Sequence, residues 1–149
     1  MAQSAANPTA AMLVIGDEIL SGRTRDANMH HLAGQLTAHG IDLTEVRVVS
    51  DDQPAIVRAL NALRADYAHV FTSGGIGPTH DDITVDAVAE ALGGPVIIHP
   101  DARALLERYY ADKGGLNEGR LRMARAPEGS DLIPNRMSGA PGIRRGNVI

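Results

Sequence analysis

From residue 74 to residue 84 the chain reads Gly-Gly-Ile-Gly-Pro-Thr-His-Asp-Asp-Ile-Thr. Glycines at 74, 75 and 77 let backbone N–H groups come close to a ligand, and Asp81 and Asp82 set two carboxylates beside them. A glycine loop ahead of a helix usually receives an anion, which carboxylates repel. The loop is not a Walker A motif, because no Gly-Lys-Ser/Thr follows. Nor is it a dinucleotide fingerprint, because the third glycine is missing and Pro78 has no N–H to offer. A purely structural role, in which the glycines only turn the chain, leaves the Asp pair unexplained.

Two ligand chemistries reconcile glycines with carboxylates. One is a diphosphate bridged by Mg²⁺, a hard cation held by one or two carboxylates together with phosphate oxygens. The other is a heterocycle with an amidine-like donor edge, which a carboxylate grips by two parallel hydrogen bonds while backbone amides hold its phosphate. A phosphorylated pterin has both features.

Further acidic pairs follow the first two expected strands: Asp17 with Glu18, and Asp51 with Asp52. Asp51 and Asp52 precede Gln53-Pro54-Ala55, so helix capping is their simpler role, and Asp26 is a cap ahead of Ala27. Some eight residues of expected loop separate Asp17 and Glu18 from the next helix, so capping does not explain them; a solvated loop or a site does. His30 and His31 face different sides of one helix and His39, His69 and His99 stand alone, which argues against a histidine metal centre. His80 lies within the glycine loop, and Arg23 and Arg25 lie between the first strand and the first helix, where they could meet phosphate.

The elements that must position these residues follow from periodicity. Apolar residues recur at one-face helical spacing in Met29/Leu32/Ala33/Leu36, Ile56/Ala59/Leu60/Leu63, Val85/Val88/Ala89/Leu92 and Ala102/Leu105/Leu106/Tyr109. Gly40, Gly93 and Gly114 are the expected stops of the first, third and fourth. Strands are expected at Met12 to Ile15, Val46 to Val49, His69 to Thr72 and Val96 to Ile98, the first and last as runs covered on both faces. This alternation predicts an α/β fold with a mostly parallel sheet and helices on both sides. In such a sheet ligands bind beyond the carboxyl ends of the strands, where the three acidic pairs share a rim. A short helix near Glu118 to Ala124, a strand at Asp131 to Ile133 and a turn-rich loop over residues 137 to 142 complete the pattern. The closing Gly-Asn-Val-Ile reads as a strand just beginning, either very short or cut off.

Composition narrows the classes. The 149 residues suit one domain, read as a flexible tail over residues 1–10 and a single domain over 11–149. Only 3% of residues are aromatic and the net charge is -4, which supplies neither base-stacking platforms nor a basic footprint for nucleic acid. The absence of cysteine removes disulfides and thiolate chemistry and fits a reducing compartment, so cytoplasm is the expected location. No apolar run approaches the roughly 20 residues of a membrane helix, and the first ten residues lack the pattern of a secretory signal.

Residues 73–84, Ser-Gly-Gly-Ile-Gly-Pro-Thr-His-Asp-Asp-Ile-Thr, resemble the Gly-Gly-x-Gly-Pro-x-x-x-Asp-x-Thr signature of the molybdopterin-binding domain. That domain is shared by molybdenum-cofactor biosynthesis proteins of the MoaB/Mog type and by the amino-terminal domain of the CinA competence/damage-inducible family. Residues 15–52 resemble the CinA-like version, in which a Gly-x-Glu-Leu-Leu-x-Gly segment precedes an Asn and a helix. Residues 133–142 resemble its Asn-Pro-x-x-Gly-x-Ala-Pro-Gly loop, with Arg136 in place of the proline. Asp81 stands where the cofactor-biosynthesis branch carries Arg, which favours the CinA-like branch over direct molybdopterin adenylylation or insertion. The carboxy-terminal region of longer relatives is not in this sequence, so no amidase activity is expected of it.

The resemblance implies a three-layer α/β/α sandwich, a homo-oligomer that is trimeric in relatives, and a small-molecule pterin or nucleotide partner. It implies a ligand set of Gly74, Gly75, Gly77, Pro78, Thr79, Asp81, Asp82 and Thr84, with Asp17, Asn28, Gly139 and Gly142 contributing, and Asp82 and Asp51 as candidate Mg²⁺ ligands. Some CinA-like domains are credited with hydrolysing a pyrophosphate bond of the ADP-ribose type. On that implication Asp82, Glu18 and Asp51 are the catalytic groups, working with Mg²⁺ or another divalent cation. The alternative is a non-catalytic carrier of molybdopterin.

Overall fold

The computed structural model describes residues 5–149. Its centre is β1 (Thr9–Ile15), in which Ala10 to Ile15 are each no more than 3% exposed. Side chains alternate across a strand, so burial of both the Ala11/Leu13/Ile15 and Ala10/Met12/Val14 sets means that both faces are covered. β2 (Asp42–Val49) and β3 (His69–Ser73) flank β1 in parallel, in the order β2-β1-β3, with Met12 opposite Val46 and Phe71. The closing residues lengthen this sheet: the Ile149 amide donates to the Val70 carbonyl at 2.8 Å, and the Thr72 amide to the Ile149 carbonyl at 2.7 Å. The strand expected at Gly-Asn-Val-Ile thus pairs in parallel beside β3, with Val148 opposite Val70.

Helices alternate with these strands. α1 (Asp17–Leu20) and α2 (Asn28–Ala38) lie between β1 and β2, α3 (Gln53–Asp66) lies between β2 and β3, and α4 (Thr84–Leu92) follows β3. Ile56, Leu60 and Leu63 of α3 and Ala87, Val88 and Ala91 of α4 close over Ala11, Leu13, Ile15 and Val70, forming the main core. Burying a Leu or Ile side chain is worth about 1.5–3 kcal/mol, so this apolar cluster can hold the sheet without aromatic bulk. The expected helix stops at Gly40, Gly93 and Gly114 all have positive φ.

β4 (Val96–Ile98) corrects one expectation. The strand forms over the expected residues, yet it does not join the parallel sheet. It pairs antiparallel with β5 (Arg125–Pro127), and Ile98 is 40% exposed. Between Pro95 and Pro100 it offers only three residues to pair. α5 (Pro100–Tyr110) and α6 (Glu118–Arg122) pack here around a second, smaller core of Ala102, Leu106 and Ala124. β6 (Asp131–Ile133) and β7 (Gly142–Arg144) close an antiparallel pair.

The first residues bear on the expected tail. Residues 1–4 of it lie outside the described residues, while Thr9 and Ala10 already pair with Asp42 and Leu43. The Asn7 amide side chain donates to Asp42 Oδ1 at 3.1 Å, and the Asp42 amide to the Pro8 carbonyl at 3.0 Å. Among the described residues, no helix is long and apolar enough to cross a membrane.

Candidate functional site

The carboxyl ends of β1 and β2 carry the first acidic groups. Asp17 and Glu18 do not lie in open loop, as expected from the sequence, but form the first turn of α1, one turn long. The four-residue segment escapes periodicity because it is too short to show a repeat. Across the gap, the Asp17 amide donates to Asp51 Oδ2 at 3.0 Å and the Asp51 amide to Asp17 Oδ1 at 3.1 Å. The second acidic pair therefore divides its work. Asp52 caps α3 by accepting the Ala55 amide at 3.0 Å, while Asp51 ties two strand ends together. Asp26 fills its expected capping role, accepting from the Asn28 and Met29 amides.

The glycine loop follows β3 and is built by close approach. At Gly74, φ is +94° and an added Cβ would lie 2.0 Å from the Ile15 carbonyl oxygen; at Gly75, φ is +65° and it would lie 2.3 Å from Thr84 Oγ1. No other residue fits either place. Thr84 is 2% exposed; its hydroxyl donates to the Gly74 carbonyl at 2.8 Å and its amide to the Gly75 carbonyl at 3.1 Å. Thr84 thus closes the loop from within rather than facing a ligand. Asp82 Oδ2 accepts both the amide and the hydroxyl of Thr79, at 2.8 and 2.7 Å. Partial burial alone would raise the Asp82 pKa, but the Thr79 hydroxyl and amide, the Gly77 amide and the nearby Arg122 charge outweigh it and hold the carboxyl below its ordinary value. Asp82 is therefore an anion in the folded protein at neutral pH.

These pieces meet at one crevice of about 470 Å³, lined by Asp17, Glu18, Arg23, Asp51, Gly75, His80, Asp81, Asp82 and Ile83. Of the expected catalytic groups, Glu18, Asp51 and Asp82 all lie on its wall. Asp17, Asp81 and Gly75 join them, as do His80 and Arg23. Gly77 packs against Asp82, where an added Cβ would lie 2.8 Å from Oδ2.

Other expected residues lie elsewhere. Asn28 donates to Ser73 Oγ at 2.7 Å and borders an adjoining recess shared with Glu18 and Gly74. Pro78 lies on the far side of the loop, beside α6. Gly142 belongs to β7 and lines an adjoining, mostly apolar groove, which shares Gly75 and Asp82 with the crevice and is also bordered by Gly77, Phe71, Val85 and Ile143. Gly139 is against a side chain: an added Cβ would lie 2.5 Å from the Tyr109 ring. Arg122 and Arg125, which belong to none of the motifs above, line that groove too. Their signal was the cluster Arg120, Arg122 and Arg125 in a chain of net negative charge.

The donor set is oxygen-only in its carboxylates, as a hard divalent cation requires. Among the described residues, no three His, Asp or Glu side chains converge closely enough to cage an ion by themselves. Asp17, Asp51 and Asp82 each have a carboxylate oxygen engaged by protein donors, so a cation at this wall would need further ligands from outside the protein. The residues fit a bridging cation rather than an enclosed one.

This arrangement of glycine loop and acidic strand ends is that of a molybdopterin-binding-type α/β/α domain. The chain belongs to the family described as "Probable molybdopterin binding domain", whose model matches residues 11–145. The crystal structure of a CinA protein of unknown function from Thermoplasma acidophilum superposes with a TM-score of 0.86 at 34% identity, covering 97% of this chain and 87% of that one. A CinA-like protein of Geobacter sp. (strain M21) is 41% identical over 134 residues, 89% of this chain and 32% of the relative. A "Probable FAD synthase" of Caenorhabditis briggsae is 35% identical over 161 residues, 95% of this chain and 31% of the relative. Archaeal relatives are covered over about half their length, 52–57%. The MoaB/Mog type and CinA-like branch expected from the motifs are thereby established for this domain.

Proposed function

We propose that this domain binds a nucleotide diphosphate or phosphorylated pterin together with a divalent cation in the acidic crevice, and hydrolyses the pyrophosphate bond of an ADP-ribose-type substrate. The observation that carries the reading is convergence: the ends of β1, β2 and β3 bring Asp17, Glu18, Asp51, Asp81 and Asp82 to one wall beside Gly75. Five acidic side chains at a glycine loop suit a phosphate group only if a cation accompanies it. When bound, such a cation neutralises phosphate charge and polarises the phosphorus–oxygen bond. Asp51 and Asp82 are the groups that would hold it. Glu18, to which no protein donor is bonded among the described residues, is the carboxylate best placed to accept a proton from the attacking water. Water adds to one phosphorus, the bridging P–O bond breaks, and AMP and ribose 5-phosphate leave. The nematode relative named for FAD synthesis is consistent with a ligand that contains a pyrophosphate.

A second reading, a non-catalytic molybdopterin carrier, is favoured by the engagement of Asp82 within its own loop. Purified protein incubated with ADP-ribose and Mg²⁺ should release AMP, and Asp82→Asn should not. Equal release by the variant, or none by either protein, rejects the enzyme. Calorimetry with molybdopterin then decides for the carrier if the pterin binds tightly while ADP-ribose stays intact.

A further inference from the structure

Arg122 ends α6, yet its side chain belongs to the glycine loop. Nε donates to the Thr79 carbonyl at 2.8 Å and a terminal nitrogen to the Asp82 carbonyl at 3.3 Å, across 43 and 40 residues of sequence. These carbonyls bracket His80 and Asp81. The turn they bound is closed on its other side by Asp82 itself, whose carboxylate takes the amide and hydroxyl of Thr79. Among the described residues no carboxylate side chain pairs with Arg122, whereas Arg125, three residues on, is paired with Asp86. A half-buried guanidinium whose hydrogen bonds go to backbone carbonyls is a clamp on chain path rather than a surface ion pair, and its charge also reaches the Asp82 carboxylate. Its neighbours Leu121 and Met123 pack into the second core, and Asn117 caps α6 by accepting the Arg120 amide at 2.8 Å. The clamp is therefore anchored in one core and acts on a loop rooted in the other.

We propose that Arg122 is the positioning residue of the site: by holding the Thr79 and Asp82 carbonyls in one planar fork, it keeps the Asp81/Asp82 turn on the wall of the crevice. The inference rests on the ligand reading above for its consequence, but not for its geometry. Lysine, with a single point charge on a flexible stem, cannot reproduce the two-acceptor fork and should rescue only partly.

The test is amide hydrogen exchange on Arg122→Gln and Arg122→Lys, compared with binding of ADP-ribose in the presence of Mg²⁺. In Arg122→Gln, exchange at the Thr79 and Asp82 amides should rise about tenfold or more while that at Leu13 and Val70 stays unchanged, and ADP-ribose affinity should fall about tenfold, the equivalent of about one charged hydrogen bond. Arg122→Lys should fall between. Unchanged exchange at Thr79 and Asp82, or a rise shared equally by Leu13 and Val70, overturns the proposal. If the unsubstituted protein does not bind ADP-ribose, the ligand reading fails, and the exchange measurement alone decides on Arg122.

Discussion

Asp17 and Asp51 each accept the other's backbone amide, at 3.1 and 3.0 Å, so that two residues 34 positions apart staple the carboxyl ends of adjacent parallel strands. Parallel strands splay beyond their last ladder bond, and here two carboxylates replace the bonds that backbone no longer makes. Asp17→Ala and Asp51→Ala are each expected to cost about 1 kcal/mol in urea denaturation. The double variant should lose less than the sum, because removing one bond loosens the other. Strict additivity would show the two bonds to be independent.

Gly75→Ala should cost about 2–4 kcal/mol, because a left-handed backbone and a 2.3 Å approach to Thr84 Oγ1 act together. Gly22 offers the control. Its φ is +76° with nothing within 4 Å, so Gly22→Ala should lose only about 1 kcal/mol. Equal losses in urea denaturation would mean that the close packing of loop on helix contributes nothing.

Acid should act through Asp82. Its folded pKa is held below the ordinary aspartate value, so its charged form contributes stability that is fully present above the unfolded pKa and is lost as pH falls through the folded one. Urea midpoints of the unsubstituted protein and Asp82→Asn should run parallel at neutral pH and converge on acidification. A constant gap down to the acid limit would contradict the loop bonding described for Asp82.

Gly139→Ala should be destabilising by about 1–3 kcal/mol, since the new methyl enters the Tyr109 ring. In a Tyr109→Ala background the same change should cost less, leaving mainly the backbone strain of φ +70°. A double-mutant cycle without coupling would remove the ring as the reason for glycine at this position.

The parallel core was legible because its signals are local. Helical spacing located α2 to α5, and the glycine stops fell where the chain turns left-handed. The fate of β4 was not legible, since three apolar residues between prolines look alike whether they enter a sheet or pair at its margin. At the site, the glycines and the Asp pair announced themselves by type. The division between Asp51, which staples, and Asp52, which caps, depends on where α1 returns in space. Thr84 matched a ligand motif, yet its burial gives its hydroxyl to Gly74, and burial is a tertiary property. The arginine cluster at 120, 122 and 125 is visible in the sequence, but the place of Arg122 is not, because its partners are carbonyls, which carry no sequence signature.

The two separate apolar clusters have a consequence for how this molecule comes apart. The larger, over β1, α3 and α4, holds every strand of the parallel sheet, whereas the smaller, around Leu106 and Ala124, holds α6 and with it Arg122. Local opening costs less than global unfolding, and a cluster of this size is the place where it is expected. Its excursions would free the glycine loop from its outer restraint while leaving the acidic strand ends in place.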